Sequence, residues 1–531
     1  MPSSPSLLSL ETLGASVLNG GVLLRLLGAW LGYRLLLALY NVSPFHPLHK
    51  FPGPRLAAAT FIYEFWFDFV RHGRYVNEIR KMHEIYGPIV RINPEELHCL
   101  DSSFVNEIYP GGGRIRDKHR HYLNANVGPV AVTAFGSEAH EQHRMRRGAL
   151  NRFFSKAQMT KLEPRVQRLV QQLCDKLLAW RGGPIDLTSA YNCLTGDTIS
   201  QYAFGQPRGF LAHDGWDYNY KGALEGFTTY VYFWRFFPQL GGLVSLAPYF
   251  LDYMPETFAM LMRELYITIP GHVRQAMRDP KAGTVFTDLL DAPDLPPEEK
   301  TVYRLAADGF SLTGAGTETT ANVLTGATYF LLRHPAKRAR LEQELARAGV
   351  DPAGRDLSWA RLEQIPYLYG VVHETLRMCH GLSTRLARVA RTEDLVYRSQ
   401  EGFGWGRDGA FEYVVPRGTP IGMSAGLTHR DASVFPEPEA FRPERWITAE
   451  GERNTGLERY LLSFSKGSRI CLGMNLAMCE LYLTVAAVVL RVAPRMRLVS
   501  GNDDCVTMDH EVMIPKPKKG TKPITVVISP E

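Results

Sequence analysis

The sequence predicts one large, mainly α-helical domain with small β-sheets, preceded by an N-terminal apolar helix. Apolar residues recur every three or four positions over long stretches, which is the period of an amphipathic helix. Segments rich in β-branched and aromatic residues are few and short. After residue 56 no repeat, low-complexity block or linker divides the chain, and 531 residues can bury a core large enough to enclose a cofactor.

Each element follows from its local pattern. Helical spacing recurs over 299–334, 359–379 and 473–492. The run 429–473 is rich in Pro, Gly and Arg, which predicts a long ordered meander. The clearest helical stripe is formed by five apolar residues: Leu162, Val166, Leu169, Leu173 and Leu177. Strands are predicted at 89–92, 97–100, 412–415 and 524–528.

Residues 1–40 are predicted to form a membrane anchor. Within them, 13–40 is Leu-rich and longer than the roughly 20 residues that a spanning helix needs. Arg25 and Arg34 lie nine positions apart, about half a turn out of phase, so they do not build the single polar face of an interfacial helix. An interfacial helix and a cleaved signal peptide are the alternatives, but the basic start of a signal peptide is missing.

The charges that flank the apolar segment predict its orientation. Glu11 precedes the segment, whereas Lys50, Arg55 and Arg71 follow it. Positive charge stays cytoplasmic, so the body of the protein is expected to face the cytosol from the endoplasmic reticulum membrane. Proline fixes φ and favours extended chain, so the proline-rich stretch 41–56 is predicted to be a stiff spacer. The domain that follows is then 57–531.

Composition excludes several classes of function. The net charge of +6 is mild for this length, and no dense stripe of Lys and Arg suggests nucleic acid binding. This charge fits contact with an anionic membrane surface or an acidic partner protein. The seven cysteines are scattered and contain no CxxC pair, so reduced thiols are expected rather than a disulfide framework.

One cysteine lies in a setting that favours a reactive thiolate. Cys471 sits in a glycine-bearing loop at the predicted start of a helix, where the helix dipole and free backbone N–H groups stabilise negative charge. Gly467 and Gly473 allow close approach of the backbone. Arg469 can bind a carboxylate of a cofactor, and Phe464 can cover the sulfur and keep it dry. A dry, hydrogen-bonded thiolate suits axial ligation of haem iron.

This loop resembles the cysteine-ligand loop of the cytochrome P450 family, which it matches at Phe464, Gly467, Arg469, Cys471 and Gly473. The resemblance covers essentially the whole chain and implies the single P450 fold with haem b as cofactor. Parts of the N-terminal half, such as the stretches 45–54 and 86–95, resemble microsomal members from filamentous fungi of the trichodiene oxygenase type. That group implies a specialised-metabolite substrate, with a terpenoid favoured.

A second motif is Glu374-Thr-Leu-Arg377, whose two charged residues lie on one helix face. In the family the matching Glu and Arg join a later Arg, here Arg445, in a buried charge network. This network would lock the meander against the cysteine loop. Because the implied role is structural, mutation is expected to cause loss of haem rather than altered selectivity.

A third motif is 314–320, inside a long helical run. Glycine in a helix interior costs about 1 kcal/mol relative to alanine, so Gly316 and its neighbour Gly314 suggest close approach of a flat cofactor and a local opening of the helix. The Thr319 hydroxyl can compete for the carbonyl of Ala315. The run resembles the family's oxygen-activation motif, which implies that Glu318 and Thr319 relay protons while the O–O bond breaks.

Resemblance also implies residues that bind the haem propionates. His143 stands where the family often has Trp, and Arg147 matches the Arg four positions later. His can still donate a hydrogen bond, so propionate contact is expected. Arg388 resembles a further propionate partner. Four residues are predicted to line the substrate pocket: Asp308, Leu312, Leu382 and Ser383.

The implied function is a monooxygenase that uses O2 to oxidise a small apolar substrate. The chain has no GxGxxG motif in a βαβ setting, so NADPH and the flavins FAD and FMN would act through a partner NADPH–cytochrome P450 reductase. Cytochrome b5 is a further candidate partner. The alternatives are a haem-thiolate isomerase or oxidative cyclase, a polyketide or alkaloid oxidase, and a non-catalytic haem protein. Glu318 and Thr319 argue against the isomerase and the non-catalytic protein.

Overall fold

Helices make up most of this computed structural model, which describes residues 20–279, 284–399 and 411–530. The mainly α fold class predicted from the sequence is confirmed. The α-helices are α1 Gly20–Val42, α2 Arg55–Ala59, α3 Ile62–Phe65, α4 Tyr75–Tyr86, α5 Val105–Ile108, α6 Arg120–Leu123, α7 His140–Asn151, α8 Lys156–Ala179, α9 Leu187–Phe204, α10 Lys221–Thr229, α11 Val231–Phe236, α12 Glu256–Arg263, α13 Ile269–Arg278, α14 Val285–Leu290, α15 Val302–Arg333, α16 Pro335–Arg347, α17 Trp359–Leu362, α18 Pro366–Cys379, α19 Ala425–Thr428 and α20 Met474–Arg491.

Short strands form four small sheets in the described part of the chain. The largest sheet has the order β1-β2-β8-β5-β3, a second has the order β4-β12-β9, and β6-β7 and β10-β11 are hairpins. The strands are β1 Ile89–Arg91, β2 Leu97–Cys99, β3 Asp117–Lys118, β4 Ile185–Asp186, β5 Arg388–Val389, β6 Leu395–Arg398, β7 Glu412–Val415, β8 Pro420–Gly422, β9 Met496–Ser500, β10 His510–Val512, β11 Ile514–Lys516 and β12 Thr525–Ile528.

Most predicted elements lie where the periodicity puts them. The five residues of the apolar stripe are all buried on α8, and the four predicted strands are β1, β2, β7 and β12. The run 359–379 is divided into α17 and α18, and α18 begins at Pro366 because proline has no backbone N–H to donate within a helix and fits its first turn. The meander is ordered and carries only short 3₁₀ turns.

The core is organised around α15, the longest helix. It packs against α9, α13, α18 and α20, and most of its side chains are buried. Gly316 lies at the contact with α9, where a Cβ atom would meet Ile199 Cγ1 at 2.9 Å. Gly326 lies at the contact with α18, where a Cβ atom would meet Cys379 Sγ at 2.7 Å. These glycines let the helices approach closely, so the path of α15 across the core is fixed.

The N-terminal helix α1 has apolar residues all round, and its side chains are largely exposed. In the described residues two helices are long and apolar enough to cross a membrane, α1 and α20, but α20 is mostly buried in the core. The predicted spacer over 41–56 is shorter than expected, because α1 ends at Val42 and α2 begins at Arg55. The chain from Ser43 to Phe51 is folded into successive turns that backbone hydrogen bonds close, so this part is not extended.

Side chains of the body hold the segment after α1 in place. Arg91 on β1 donates to the carbonyl of Asn41 at 2.8 Å, and its amide donates to the carbonyl of Pro52 at 2.8 Å. The Asn41 side chain donates to the carbonyl of Ala59 at 2.9 Å and is buried. Asn41 is therefore part of the packed junction between α1 and the body.

Candidate active site

The cysteine loop is a tight turn that leads into α20. The Cys471 amide donates to the carbonyl of Phe464 at 2.8 Å, and the Ile470 amide donates to that of Gly467 at 3.1 Å. Gly467 has φ +69°, and a Cβ atom there would lie 2.3 Å from the Pro110 carbonyl oxygen. Gly467 is thus required by both its backbone conformation and a close approach to the protein itself.

Cys471 lies three residues before the first residue of α20. Its side chain is accessible, yet it is densely surrounded by protein atoms, and this burial raises the pKa of the thiol. The Gly473 amide and the nearby Arg147 guanidinium oppose that rise in the pKa by favouring the thiolate. Cys479 on α20 is buried in the hydrophobic core instead. The Cys471 sulfur is therefore accessible to a ligand, and the Gly473 amide and Arg147 favour its thiolate form.

The charge network predicted around Glu374 has the expected contacts. Arg377 donates to both carboxylate oxygens of Glu374, at 2.9 and 2.8 Å, and Arg445 Nε donates to Oε1 at 3.0 Å. Two further donors complete the shell, the Trp446 indole N–H at 2.9 Å and the Arg442 amide at 2.9 Å. Glu374 and Arg377 have 0% exposed side chains, so the pair is fully desolvated. Trp446 and the Arg442 amide were not predicted.

The network is connected to the cysteine loop through a buried histidine. Arg377 Nη1 donates to the carbonyl of His429 at 2.9 Å, and the His429 ring accepts from the Leu462 amide at 2.8 Å. Ser463 Oγ donates to the carbonyl of Leu376 at 2.7 Å. These bonds attach the residues just before Phe464 to the end of α18. His429 is a link that the sequence motifs did not reveal.

The oxygen-activation motif lies on an uninterrupted stretch of α15. Thr319 Oγ1 donates to the carbonyl of Ala315 at 2.7 Å, as predicted, and Ala315 is exposed on a helix whose other faces are mostly buried. Glu318 is buried, which raises the pKa of its carboxyl group. The predicted opening of the helix is wrong in this structure, and Gly316 packs against Ile199 rather than facing the cofactor side.

A cluster of basic side chains, the cation cluster, lies beside the cysteine loop and is formed by Lys118, His143, Arg147, Arg388 and Arg469. Burial and the neighbouring guanidinium groups of Arg388 and Arg469 lower the pKa of Lys118 far below its ordinary value. Burial and the surrounding cations, Arg469 first among them, lower the pKa of His143 to about 2, so its ring is neutral. Burial, Arg388 and Arg147 lower the pKa of Arg469 to about 9. Charges of one sign are costly to bury without a counter-charge. An anion bound beside the cluster would therefore favour the charged forms of its basic groups.

Haem carries two carboxylates, and the cluster fits them. Arg469 Nε is buried and donates to no group in the described part of the chain. Its other nitrogens donate to the carbonyls of Ser137 and Glu138 at 2.6 and 2.8 Å, which fixes the guanidinium. The carboxylate that favours charged Arg469 is Asp117, and Asp117 already accepts from the His140 amide at 2.8 Å and from Arg391 at 2.7 Å. The donors present thus suit two propionates.

Lys118 was missed by sequence reasoning. It ends β3, and its Nζ donates to the carbonyl of Phe135 and lies 3.8 Å from the centre of the Phe135 ring. The sequence signal that could have indicated Lys118 was the basic run 114–121. Within this run Lys118 belongs to no recognisable motif. Strand pairing of Lys118 with Arg388 brings the two cations together.

The predicted pocket residues separate into two groups. Leu312 and Leu382 are half-buried and apolar, as a pocket wall requires, and the Ser383 amide donates to the carbonyl of Met513 at 3.0 Å. Asp308 does not have the predicted role of meeting the substrate. Its carboxylate pairs with Arg304 at 2.8 Å and accepts from the Ala134 amide at 3.3 Å. It therefore holds α15 against the segment that carries Phe135.

We expect Arg388→Met to weaken haem retention. Hydrogen bonds to charged groups are worth about 1.5–3 kcal/mol, so haem should dissociate about 10–100 times faster from this variant. Transfer of haem to an excess of apomyoglobin measures the rate. Arg398→Met is the matched control, because Arg398 is exposed and pairs with Glu412 on the β6-β7 hairpin instead. Equal rates for Arg388→Met and the wild type would contradict the assignment.

Comparison with known proteins agrees with this site. The sequence profile described as "Cytochrome P450" matches residues 52–522. The chain is 40% identical to the cytochrome P450 monooxygenase ppzE of Metarhizium majus, over 81% of this chain and 92% of that protein. It is 37% identical to the monooxygenase tpcC of Cochliobolus heterostrophus, over 87% and 86% of the two chains. It is 36% identical to conidiogenone synthase PchP450 of Penicillium rubens, over 91% and 95%.

The matched region contains every element of the site, from the charge network to the cysteine loop. The family match covers most of the chain, and these relatives are 36–40% identical to it. Together these two findings establish the fold and the class of reaction. The chain therefore belongs to the cytochrome P450 family and is an oxidoreductase of the monooxygenase class.

Proposed function

We propose that this protein transfers one oxygen atom of O2 to a C–H bond of an apolar specialised metabolite, with a terpenoid favoured. The second oxygen atom leaves as water, with two electrons from NADPH delivered by a separate reductase. The observation that carries the proposal is the buried Glu318 next to Thr319, whose hydroxyl is held on the Ala315 carbonyl. An isomerase or a non-catalytic haem protein has no need of a proton relay there.

Each part of the site has one task in this proposal. Bound haem supplies the oxygen chemistry, with Cys471 as the thiolate that donates electron density to its iron. The cation cluster holds the propionates, with Arg469 and Arg388 at its centre. The Glu374 network keeps the cysteine loop at a fixed position. Glu318 and Thr319 hold and pass protons, and α15 keeps their carboxyl and hydroxyl groups on adjacent residues.

The relatives support a dedicated biosynthetic role. One of them is named for the synthesis of a single compound, conidiogenone, and others are named as monooxygenases of fungi. We propose a substrate of the same general kind, a specialised metabolite of a fungus. Leu312 and Leu382 are apolar and half-buried, which would suit the wall of a pocket for an apolar substrate.

The experiment combines the purified protein with an NADPH–cytochrome P450 reductase, 18O2 and a panel of terpenes, polyketides and alkaloids. The proposal expects substrate-dependent use of NADPH and O2, with one 18O atom in the product. Product formation without NADPH and O2 would instead identify an isomerase. No turnover together with haem binding across the panel would favour the non-catalytic protein, and oxidation restricted to polyketides or alkaloids would replace the terpenoid assignment.

Replacing the relay hydroxyl gives a sharper test of the same site. Thr319→Ala removes the hydroxyl that bonds to Ala315. General acid–base groups contribute about 10²–10⁴-fold, so product formation should fall by about that factor while NADPH is still consumed and hydrogen peroxide is released. Thr319→Ser keeps a hydroxyl and is expected to restore most of the product. An unchanged ratio of product to NADPH in Thr319→Ala would contradict the relay.

We further propose that residues 1–40 anchor the protein in the endoplasmic reticulum membrane, with 41–56 as a spacer and 57–531 as the catalytic domain in the cytosol. The exposed apolar surface of α1 supports this arrangement. The body also exposes large apolar side chains on α3 and on the segment after α11. The Phe65 ring joins these two elements through contacts with the rings of Phe236 and Phe237. The same membrane would place the reductase, and cytochrome b5, beside the enzyme.

Anchoring predicts how the protein partitions after expression in yeast. The full chain should stay in the membrane pellet after washing with alkaline carbonate, because a spanning helix is inserted in an effectively irreversible way. A variant that lacks residues 1–40 should be released by the same wash. Release of the full chain would show that α1 lies on the membrane surface rather than across the membrane.

A further inference from the structure

A lysine of the C-terminal hairpin contacts the acid of the oxygen-activation motif. Lys516 Nζ lies 3.1 Å from Glu318 Oε1. The Glu318 side chain is 9% exposed and that of Lys516 is 19% exposed, so the pair stands between the interior and solvent. The two residues are 198 positions apart in the sequence. The contact therefore depends on where the fold places the β10-β11 hairpin.

The hairpin is held firmly, so Lys516 has a fixed point of attachment. Its carbonyl accepts from the Asp509 amide at 2.9 Å across the hairpin. Asp509 in turn pairs with Arg74 at 2.7 Å. Backbone bonds fix the rest of the hairpin, from the Glu511 amide to the Gly73 carbonyl at 3.0 Å and from the Ser383 amide to the Met513 carbonyl at 3.0 Å. The backbone around Lys516 is thus fixed, and the pair can separate only by rotation of its two side chains.

Lys516 is the principal cation acting on Glu318. Burial raises the pKa of the Glu318 carboxyl, and Lys516 is the largest influence that lowers it. From α10, Glu225 raises this pKa and Lys221 lowers it to a smaller extent. Lys221 is already paired with Asp186 at 2.5 Å. Lys516 thus opposes the effect of burial on the pKa of the Glu318 carboxyl.

We propose that Lys516 is a positioning residue for proton delivery, which holds the Glu318 carboxylate ionised and turned toward solvent between turnovers. This inference rests on the proposed function. Glu318 takes a proton from water while it lies beside Lys516, and then turns along α15 to pass that proton to the Thr319 hydroxyl. The carboxylate returns to Lys516 as an anion, so each proton passed on is replaced by one from solvent. Lys516 itself never contacts the substrate or the cofactor.

Prolines restrict the backbone on both sides of Lys516. The tail 513–519 contains three lysines and two prolines, and Pro515 and Pro517 flank Lys516 directly. This restriction helps to keep the ammonium group of Lys516 against the Glu318 carboxylate.

The test compares Lys516→Met, Lys516→Arg and Lys518→Met in the holoprotein. Lys518 is exposed on the same tail and serves as the matched control. The infrared band of the protonated Glu318 carboxyl is titrated with pH and is assigned by its loss in Glu318→Gln. A lost positive neighbour favours the protonated acid, so the band of Lys516→Met should persist to higher pH. Lys516→Arg and Lys518→Met should stay near the wild type.

Turnover gives the second readout. An ionised Glu318 is needed to accept a proton, so activity falls as pH drops through its pKa, and this acid limb should move to higher pH in Lys516→Met. The yield of product per NADPH should fall several-fold, with hydrogen peroxide released instead. An unchanged band, acid limb and yield in Lys516→Met would overturn the inference. If the band shifts but the wild type oxidises no substrate with NADPH, the proposed function fails and the pairing of Lys516 with Glu318 stands.

Discussion

Glu374→Gln is expected to yield a protein that folds poorly and retains little haem. The change removes a fully buried carboxylate and leaves Arg377 and Arg445 without their counter-charge. Breaking a buried ion pair by removing one partner costs about 3–5 kcal/mol, which is a large part of the stability of a typical domain. Urea unfolding and the ratio of haem absorbance to protein absorbance measure the two effects. Substrate selectivity should not change in whatever folded fraction remains.

Glu412→Gln is the control for this variant. Glu412 pairs with Arg398 at 2.8 Å, but both side chains are about half exposed or more, at 49% and 75%. Exposed pairs contribute about 0–1 kcal/mol, so this variant should unfold close to the wild type and keep its haem. Equal results for Glu374→Gln and Glu412→Gln in both measurements would show that the Glu374 network does not hold the cysteine loop.

Cys471→Ala is expected to reduce product formation to background. Alanine has no sulfur to bind iron, so the electron donation that assists cleavage of the O–O bond is lost. The Phe464 carbonyl and the Cys471 amide that shape the loop are unchanged, so the fold should persist. NADPH-dependent oxygenation with the reductase measures the effect, and circular dichroism checks the fold.

Cys479→Ala makes the same substitution on α20 at a cysteine that is buried in the hydrophobic core. Its thiol lies among apolar neighbours, so its loss should leave haem binding and turnover close to those of the wild type. Activity that survives in Cys471→Ala and disappears in Cys479→Ala would show that Cys479, and not Cys471, is the iron ligand.

Features that depend on local spacing could be predicted from the sequence. The bond of Thr319 to Ala315 and the pair of Glu374 with Arg377 join residues three or four positions apart on one helix, so helical geometry alone fixes them. The turn at Cys471 is equally local, because its bonds lie within 464–473. The fold class followed from periodicity for the same reason.

Features that depend on distant packing could not be predicted. Lys118 joins the cation cluster because β3 pairs with β5, and Lys516 reaches Glu318 because the hairpin is held at Gly73 and Ser383. Asp308 was wrongly assigned to the pocket although its pair with Arg304 is local, because its second partner, the Ala134 amide, lies 174 positions away. Gly316 was assigned to the cofactor because nothing in the sequence shows that Ile199 packs against it.

The central claim is that Cys471 holds the haem iron as a thiolate, and the most direct test is the reduced carbon monoxide difference spectrum of the full chain. We predict an absorption maximum at the position typical of cysteine-thiolate ligation. The maximum should persist in Cys479→Ala and disappear in Cys471→Ala. A maximum at the position of histidine- or thiol-ligated haem in freshly purified wild-type protein would contradict the account.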